Sequence, residues 1–168
     1  MTVTGALAAV LTRDLHAVKR ELSAYDDERD IWRLAPGVTN SSGTLAQHLA
    51  GNMQFFLGAV LGHNGYVRDR DAEFAKRDVP RAVLLSDLDA AIAAVRRGLQ
   101  GLSDAELASP FPQAVAGITL TTGEVLLHLA AHLTYHLGQM DYHRRILTGN
   151  GRTVGALLPG ELRAPRPE

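Results

Sequence analysis

Cysteine is absent from this 168-residue chain. That rules out disulfides, thiolate metal sites and a cysteine nucleophile, so any metal ligand supplied by the chain has to be His, Asp or Glu. An excess of charge of either sign is also missing: 17 Lys and Arg against 18 Asp and Glu leave a formal net charge of −1. With no basic stretch long enough to follow a phosphate backbone, nucleic acid is not an expected partner. The apolar runs are interrupted by His, Gln or Gly, so none reads as a membrane span. The N-terminal segment carries Arg13 and Asp14 and lacks a signal-peptide pattern, so the expected compartment is the cytoplasm. No strand-like alternation lasts beyond a few residues, and there is no internal repeat, low-complexity tract or Gly-rich phosphate loop.

What the chain does have is apolar residues, 46% of the total, enough for one domain with a real core. They recur at helical steps. Leu7, Leu11, Leu15, Val18, Leu22 and Tyr25 predict a first helix over about 3–26. After a Pro36-Gly37 loop, Asn40, Ser41 and Ser42 are good N-cap types for a second helix running to about Gly62. The stretch 66–79 is charged, irregular and long enough to cross a bundle. Pro80 opens a third helix with Asp78 as its cap and Leu84, Leu88, Ile92, Val95 and Leu99 as its stripe. Ser103 and Glu106 have capping-box spacing and predict a short helix. Thr121 and Glu124 form a second such box, opening a fourth long helix that ends near Thr148 with Gly149 at the C′ position. The expectation is an all-α four-helix bundle over 1–149, mostly antiparallel, with a long connection between helices 2 and 3. A partly mobile tail rich in Gly, Pro and Arg follows over 150–168.

Histidine is where chemistry concentrates. His128, His132 and His136 sit four apart in one apolar run, and His48 lies in another far upstream. On a helix, residues four apart share a face. A helical wheel places the three with Val125, Leu129, Ile146 and Leu147, opposite Thr134, Asp141 and Arg145. It places His48 with Leu45, Asn52, Phe55 and Ala59, so all four point inward. His16 groups with Arg13 and Arg20 on a solvated face; His63 lies at a helix end, and His143 faces inward near the end of the bundle. A lone inward histidine is ordinarily a hydrogen-bonded core residue. Four of them on two helices exceed the buried polar partners at hand, and an unpartnered buried imidazole costs roughly 1–3 kcal/mol. One metal ion removes that cost from several at once. His48, His132 and His136 make a three-ligand set that leaves coordination positions open, as catalytic sites do. His128, one turn away, supports that set or serves as an alternative ligand. A metal so held can polarise a substrate or activate water.

The segments Asn40-Ser41-Ser42-Gly43-Thr44-Leu45-Ala46-Gln47-His48-Leu49-Ala50-Gly51-Asn52 and His132-Leu133-Thr134-Tyr135-His136-Leu137-Gly138-Gln139 resemble the DinB-like (DinB/YfiT) superfamily of metal-dependent enzymes. The resemblance runs from the first helix to about Thr148. Its marks are the single histidine on the second helix and the HxxxHxGQ pattern on the fourth. It implies a four-helix bundle, often dimeric, with a divalent metal on three histidines. Carried over by motif, these are His48, His132 and His136. Members with known activity include thiol-dependent S-transferases and mycothiol-dependent isomerases. Some relatives carry Glu in place of the first His of the pair; with His132 there, this chain is the all-histidine version.

Leu133 follows His132, so the HExxH helix of zinc proteases, with its general-base Glu, is not present. No inward carboxylate pair suits a di-iron site. Lacking cysteine, the chain would draw a nucleophilic thiol from a low-molecular-weight cosubstrate. Asn52, Tyr135 and Gln139 are the polar candidates for contact with substrate or ligand. The imidazole-only set favours zinc or nickel, with iron or manganese also compatible. The expected function is a metal-dependent enzyme acting on a small-molecule substrate, as a thiol S-transferase or a small-molecule hydrolase, and working as a homodimer. The competing readings are a non-catalytic metal- or ligand-binding stress-response protein and a haem protein using two inward histidines.

Overall fold

Five α-helices follow one another in a computed structural model that describes residues 2–162: α1 (Val3–Ser23), α2 (Ser42–Met53), α3 (Arg70–Ala75), α4 (Arg81–Leu99) and α5 (Thr122–Thr148). Among the described residues the only β-type pairings are two isolated bridges, Pro110–Thr121 and Val115–Ile118, in the loop before α5. The chain is thus all-α, as its apolar stripes require. No described helix is long and apolar enough to cross a membrane. Local chemistry sets most boundaries. The Ser41 side chain caps α2 through the Thr44 N–H, and Thr121 and Glu124 close a reciprocal capping box on α5. Gly149 ends α5 in the left-handed conformation, with φ of 66°.

Three features depart from the local rules. The crossover stretch contains α3, which is capped by Asp69. Pro80 is itself the N-cap of α4 and has no side-chain cap; the Glu28 carboxylate, from a distant turn, accepts the Arg81 N–H at 2.6 Å. Asp78, expected as that cap, instead turns the chain with φ of 56°. Finally, α2 widens into a π-helical segment, Gln54–Leu61, before the turn at Gly62. That segment lies against the end of α4. A Cβ on Gly98 would sit 2.1 Å from the Leu57 carbonyl oxygen, so only glycine lets the two backbones meet.

Long-range bonds fix the directions. The Val3 and Thr4 N–H groups donate to Asp104, just past α4, while Arg81 at the start of α4 donates to the carbonyl of Tyr25. So α1 and α4 are antiparallel. Thr134 meets Asp14 and Arg144 meets Glu21, so α5 runs parallel to α1. Ser42 meets His143 and His48 meets His132, so α2 and α5 are antiparallel. Helices α2 and α4 then share one direction, and the chain between them must return along the bundle; residues 63–80 do this. The core between the helices is filled by fully buried leucines such as Leu11, Leu15, Leu49, Leu88, Leu126 and Leu133. Each contributes about 1.5–3 kcal/mol by leaving water. Residues 150–162 fold back on the bundle, where carbonyls of Asn150 and Arg152 accept from Arg144 and those of Val154 and Gly155 accept from Arg20. The remainder of the expected tail, 163–168, lies outside the described residues.

Candidate metal centre

The antiparallel pairing of α2 and α5 sets residue 48 across from residues 132 and 136. His132 Nε2 lies 3.2 Å from His48 Nε2 and 3.1 Å from His136 Nε2. The three residues each offer one ligand atom, and those atoms all lie within 4.8 Å of one another. The His132 and His136 rings are nearly perpendicular, at 88°, as are those of His48 and His136, at 89°. Imidazoles arranged this way aim their nitrogens at a common point instead of stacking.

The opposite side of each ring decides what those nitrogens can do. His48 Nδ1 is 3.0 Å from a carboxylate oxygen of Glu73. A carboxylate only accepts, so Nδ1 carries the proton and Nε2 presents a lone pair. His136 Nδ1 is 2.6 Å from Gln139 Oε1, which sets the same tautomer. His132 Nδ1 is buried and makes no hydrogen bond among the described residues. His132 has one N–H and two neighbouring nitrogens, so at most one of the close contacts is a hydrogen bond. Lone pairs therefore converge with too few protons between them. A divalent cation meets this donor set; the trio could hold one metal ion, with two ligands already oriented by their second nitrogens.

Glu73 comes from α3 and is buried. Burial by itself pushes its carboxyl up, but hydrogen bonds from Arg68 and His48 outweigh this and hold it below the ordinary carboxylate range. Arg68 grips both oxygens, Nε to Oε1 at 2.7 Å and Nη2 to Oε2 at 2.8 Å. The carboxylate rests on the backbone of α2 at Gly51, where a Cβ would come 2.1 Å from Oε1. Gln47 on α2 donates to the carbonyls of Glu73 and Lys76, and the Phe74 ring packs 4.9 Å from that of His48. Helix α3 is thus fastened to α2 beside His48. Burial also lowers His132, to about 4, with the neighbouring imidazoles of His136 and His48 adding to the effect. His136 is lowered by burial too, partly offset by its bond to Gln139. Neutral imidazole, the form that ligates, is favoured at both.

The remaining sequence candidates separate. His128 is exposed, its ring centroid 5.9 Å from that of His132, and it lies outside the group of converging nitrogens. Gln139 touches the site through His136. Tyr135 is exposed, with its ring edge-on to His136 at 5.3 Å. Asn52 is buried one turn beyond His48, and its Oδ1 makes no hydrogen bond among the described residues. His143 is buried but already served: Nε2 donates to the Arg33 carbonyl at 2.8 Å, and Tyr25 and Ser42 hydroxyls meet Nδ1. His16 is exposed on α1, away from the trio. The wheel erred at Ile146, which is 59% exposed, and at His128, which it placed inward and which is exposed. Glu73 and Arg68 were missed because they sit in a stretch without helical periodicity. The only signal was that two oppositely charged residues five apart precede a short apolar pair, and that is too common to single out.

The sequence matches the DinB superfamily over residues 10–140. No match was found among curated proteins or among solved structures. The matched span runs from within α1 through most of α5 and holds His48, Glu73, His132, His136 and Gln139. The chain therefore belongs to the DinB superfamily.

Proposed function

We propose that the protein is a metal-dependent enzyme that uses a low-molecular-weight thiol as cosubstrate and transfers it to, or isomerises, a small molecule. The observation that carries this is the convergence of three Nε2 atoms whose ring partners, Glu73 and Gln139, hold His48 and His136 in the ligating tautomer. His48, His132 and His136 would hold one divalent ion, zinc or nickel being the best match to neutral imidazole. When bound, the ion supplies Lewis acidity to a sulfur or oxygen of the substrates. Three protein ligands leave room for them.

A thiol is favoured over water as nucleophile because the acid touching the trio is already engaged. Glu73 faces His48 Nδ1 and is paired with Arg68, so it is not placed to take a proton from water. A thiol, with a pKa near 8.5, ionises with little help. His128, exposed with its ring centroid 5.9 Å from that of His132, would receive its proton. A cleft of about 290 Å³ lined by Leu45, Gln139, Tyr142 and Ile146 begins beside the His136 partner and suits a compact, partly apolar substrate. The test is elemental analysis of the purified protein together with a screen of thiols against electrophilic small molecules. One equivalent of metal, lost in His48→Ala, with metal-dependent thiol consumption is expected. Stoichiometric metal without turnover of any thiol, but with hydrolysis of ester or amide probes, would turn the reading to a hydrolase; metal with neither would leave a binding protein.

A further inference from the structure

The histidine trio lies between α2 and α5. Helix α1 packs on α4 and α5 and scarcely on α2, so it stands diagonally across the bundle from the ligating face of α2. Along its outer side runs a cavity of about 540 Å³, within the size range of small-molecule sites. Ala8 and Ala9 form an apolar floor, and the C-terminal turn sets Glu161 and Leu162 against one side. That wall is held by Arg20, which donates to the carbonyls of Val154 and Gly155 and pairs with Glu161 at 3.2 Å.

Farther along α1 the lining turns cationic. Lys19 meets Asp89 and the two helices are antiparallel, so Arg96, two turns beyond Asp89, comes level with Thr12, two turns before Lys19. Arg96 thus lines the cavity from α4 beside Thr12 and His16 of α1. Arg13 and Arg20 already hold acids, Asp14 and Glu161. His16 and Arg96 are exposed and hold none among the described residues. The local field is positive: besides burial, Lys19, Arg20 and Arg96 each lower the His16 imidazole, and Asp89 opposes them. Like charges gathered beside an apolar floor repel one another, and a bound anion relieves that repulsion.

We propose that this cavity is a second ligand site, separate from the histidine trio, for an organic anion with an apolar chain. The chain lies on Ala8 and Ala9, and the carboxylate, sulfate or phosphate head meets Arg96 and His16, with the Thr12 hydroxyl beside them. Glu161 sets this orientation, because a head placed at Arg20 would face its carboxylate.

Isothermal titration of the whole chain with monomeric octanoate and octyl sulfate tests the site. One equivalent of each should bind. Octanol, which lacks the charge, should bind about tenfold more weakly. Acetate, which lacks the chain, should bind more weakly than octanoate. Arg96→Glu should lower octanoate affinity about tenfold. Ala9→Phe, which fills the floor, should weaken it as well, with helical circular dichroism unchanged in both variants. His48→Ala should bind octanoate as wild type does, which separates the cavity from a carboxylate held at the trio. The His16 ring resonances, identified by their loss in His16→Gln, should shift on adding octanoate, and those of His63 should not. Octanol binding as tightly as octanoate overturns the proposal, as does octanoate affinity unaltered in both Arg96→Glu and Ala9→Phe, or lost in His48→Ala. Co-sedimentation with phosphatidylglycerol vesicles in the absence of any octanoate binding also overturns it, since the cations would then serve a membrane surface and not an enclosed ligand.

Discussion

Glu73 and His48, twenty-five residues apart, meet at 3.0 Å, and that contact joins the crossover helix α3 to the ligating face of α2. The carboxylate fixes the imidazole tautomer, and Arg68 fixes the carboxylate. Removing the acid should leave the bundle intact but let the His48 ring rotate. Glu73→Ala is expected to lower metal affinity by roughly 10–100-fold. Glu73→Gln, which keeps an acceptor for Nδ1, should lose less. Isothermal titration with zinc in competition with a chelator measures both. Equal affinity in wild type and Glu73→Ala would mean that His48 is held by packing alone.

Gly51 makes a related demand. Its missing side chain is the space in which Glu73 Oε1 sits, and a Cβ 2.1 Å from that atom cannot be accommodated without moving the carboxylate. Gly51→Ala should therefore reproduce the metal-binding loss of Glu73→Ala, although alanine is the better helix former. A stability cost of about 1–3 kcal/mol should accompany it if α3 is forced off α2. If urea unfolding and metal titration both match wild type, the seat of Glu73 has been misread.

The four long helices were legible in the sequence because their stripes, caps and breakers are local. So was the trio, since i,i+4 spacing on one helix and an inward histidine on another are pattern-level facts. What was not legible is whatever depends on contacts between distant segments. The cap on α4 is Glu28, fifty-three residues away from Arg81, and no local rule reaches that far. The α3 helix is six residues long and is held to α2 by the Glu73 contact with His48 and the Gln47 bonds to its backbone, with Arg68 bracing Glu73, more than by its own periodicity. Thr134 looked solvent-facing on a wheel because it is polar, yet its hydroxyl donates to buried Asp14 on α1 at 2.7 Å. A wheel measures the polarity of a face and cannot know that a neighbouring helix carries the matching polar group.

Glu21 and Arg144 supply the most buried example of such matching. Both side chains are essentially inaccessible, and Arg144 Nε donates to Glu21 Oε2 at 2.6 Å. Arg144 also holds the carbonyls of Asn150 and Arg152, pinning the returning C-terminal segment. Burial raises the Glu21 carboxyl while the arginine opposes this. Arg144→Met leaves the buried Glu21 carboxylate without its ion-pair partner and should cost about 3–5 kcal/mol, and Glu21→Leu should cost less, because Arg144 keeps Asp141 at 3.1 Å. The double variant should cost clearly less than the sum of the two, because neither charge then remains. A double-variant cycle by urea denaturation checks this, and strict additivity would show that the pair does not act as a unit.

The pH response follows from the histidines whose folded-state pKa values are depressed. Burial and the neighbouring imidazoles hold His132 down to about 4 in the folded metal-free protein, and His143 is also lowered by burial. In the unfolded chain both take up protons near pH 6.5. Between those limits the unfolded state binds more protons than the folded state, so stability rises with pH there. Their contribution is fully present above about pH 6.5 by this reference value, declines as pH falls toward the folded values, and is gone below them. Metal-free protein should therefore unfold at progressively lower urea as pH drops from 7 to 4. His132→Asn should flatten part of that slope. The same depression means that protons compete for His132 and His136 only below the usual imidazole range, so at those two ligands zinc should hold against protons to lower pH than at ordinary histidines. Once the trio does protonate, loss of the ion and loss of stability should coincide, giving the metal-loaded protein the steeper pH profile of the two. Identical pH profiles with and without zinc would contradict binding at His48, His132 and His136.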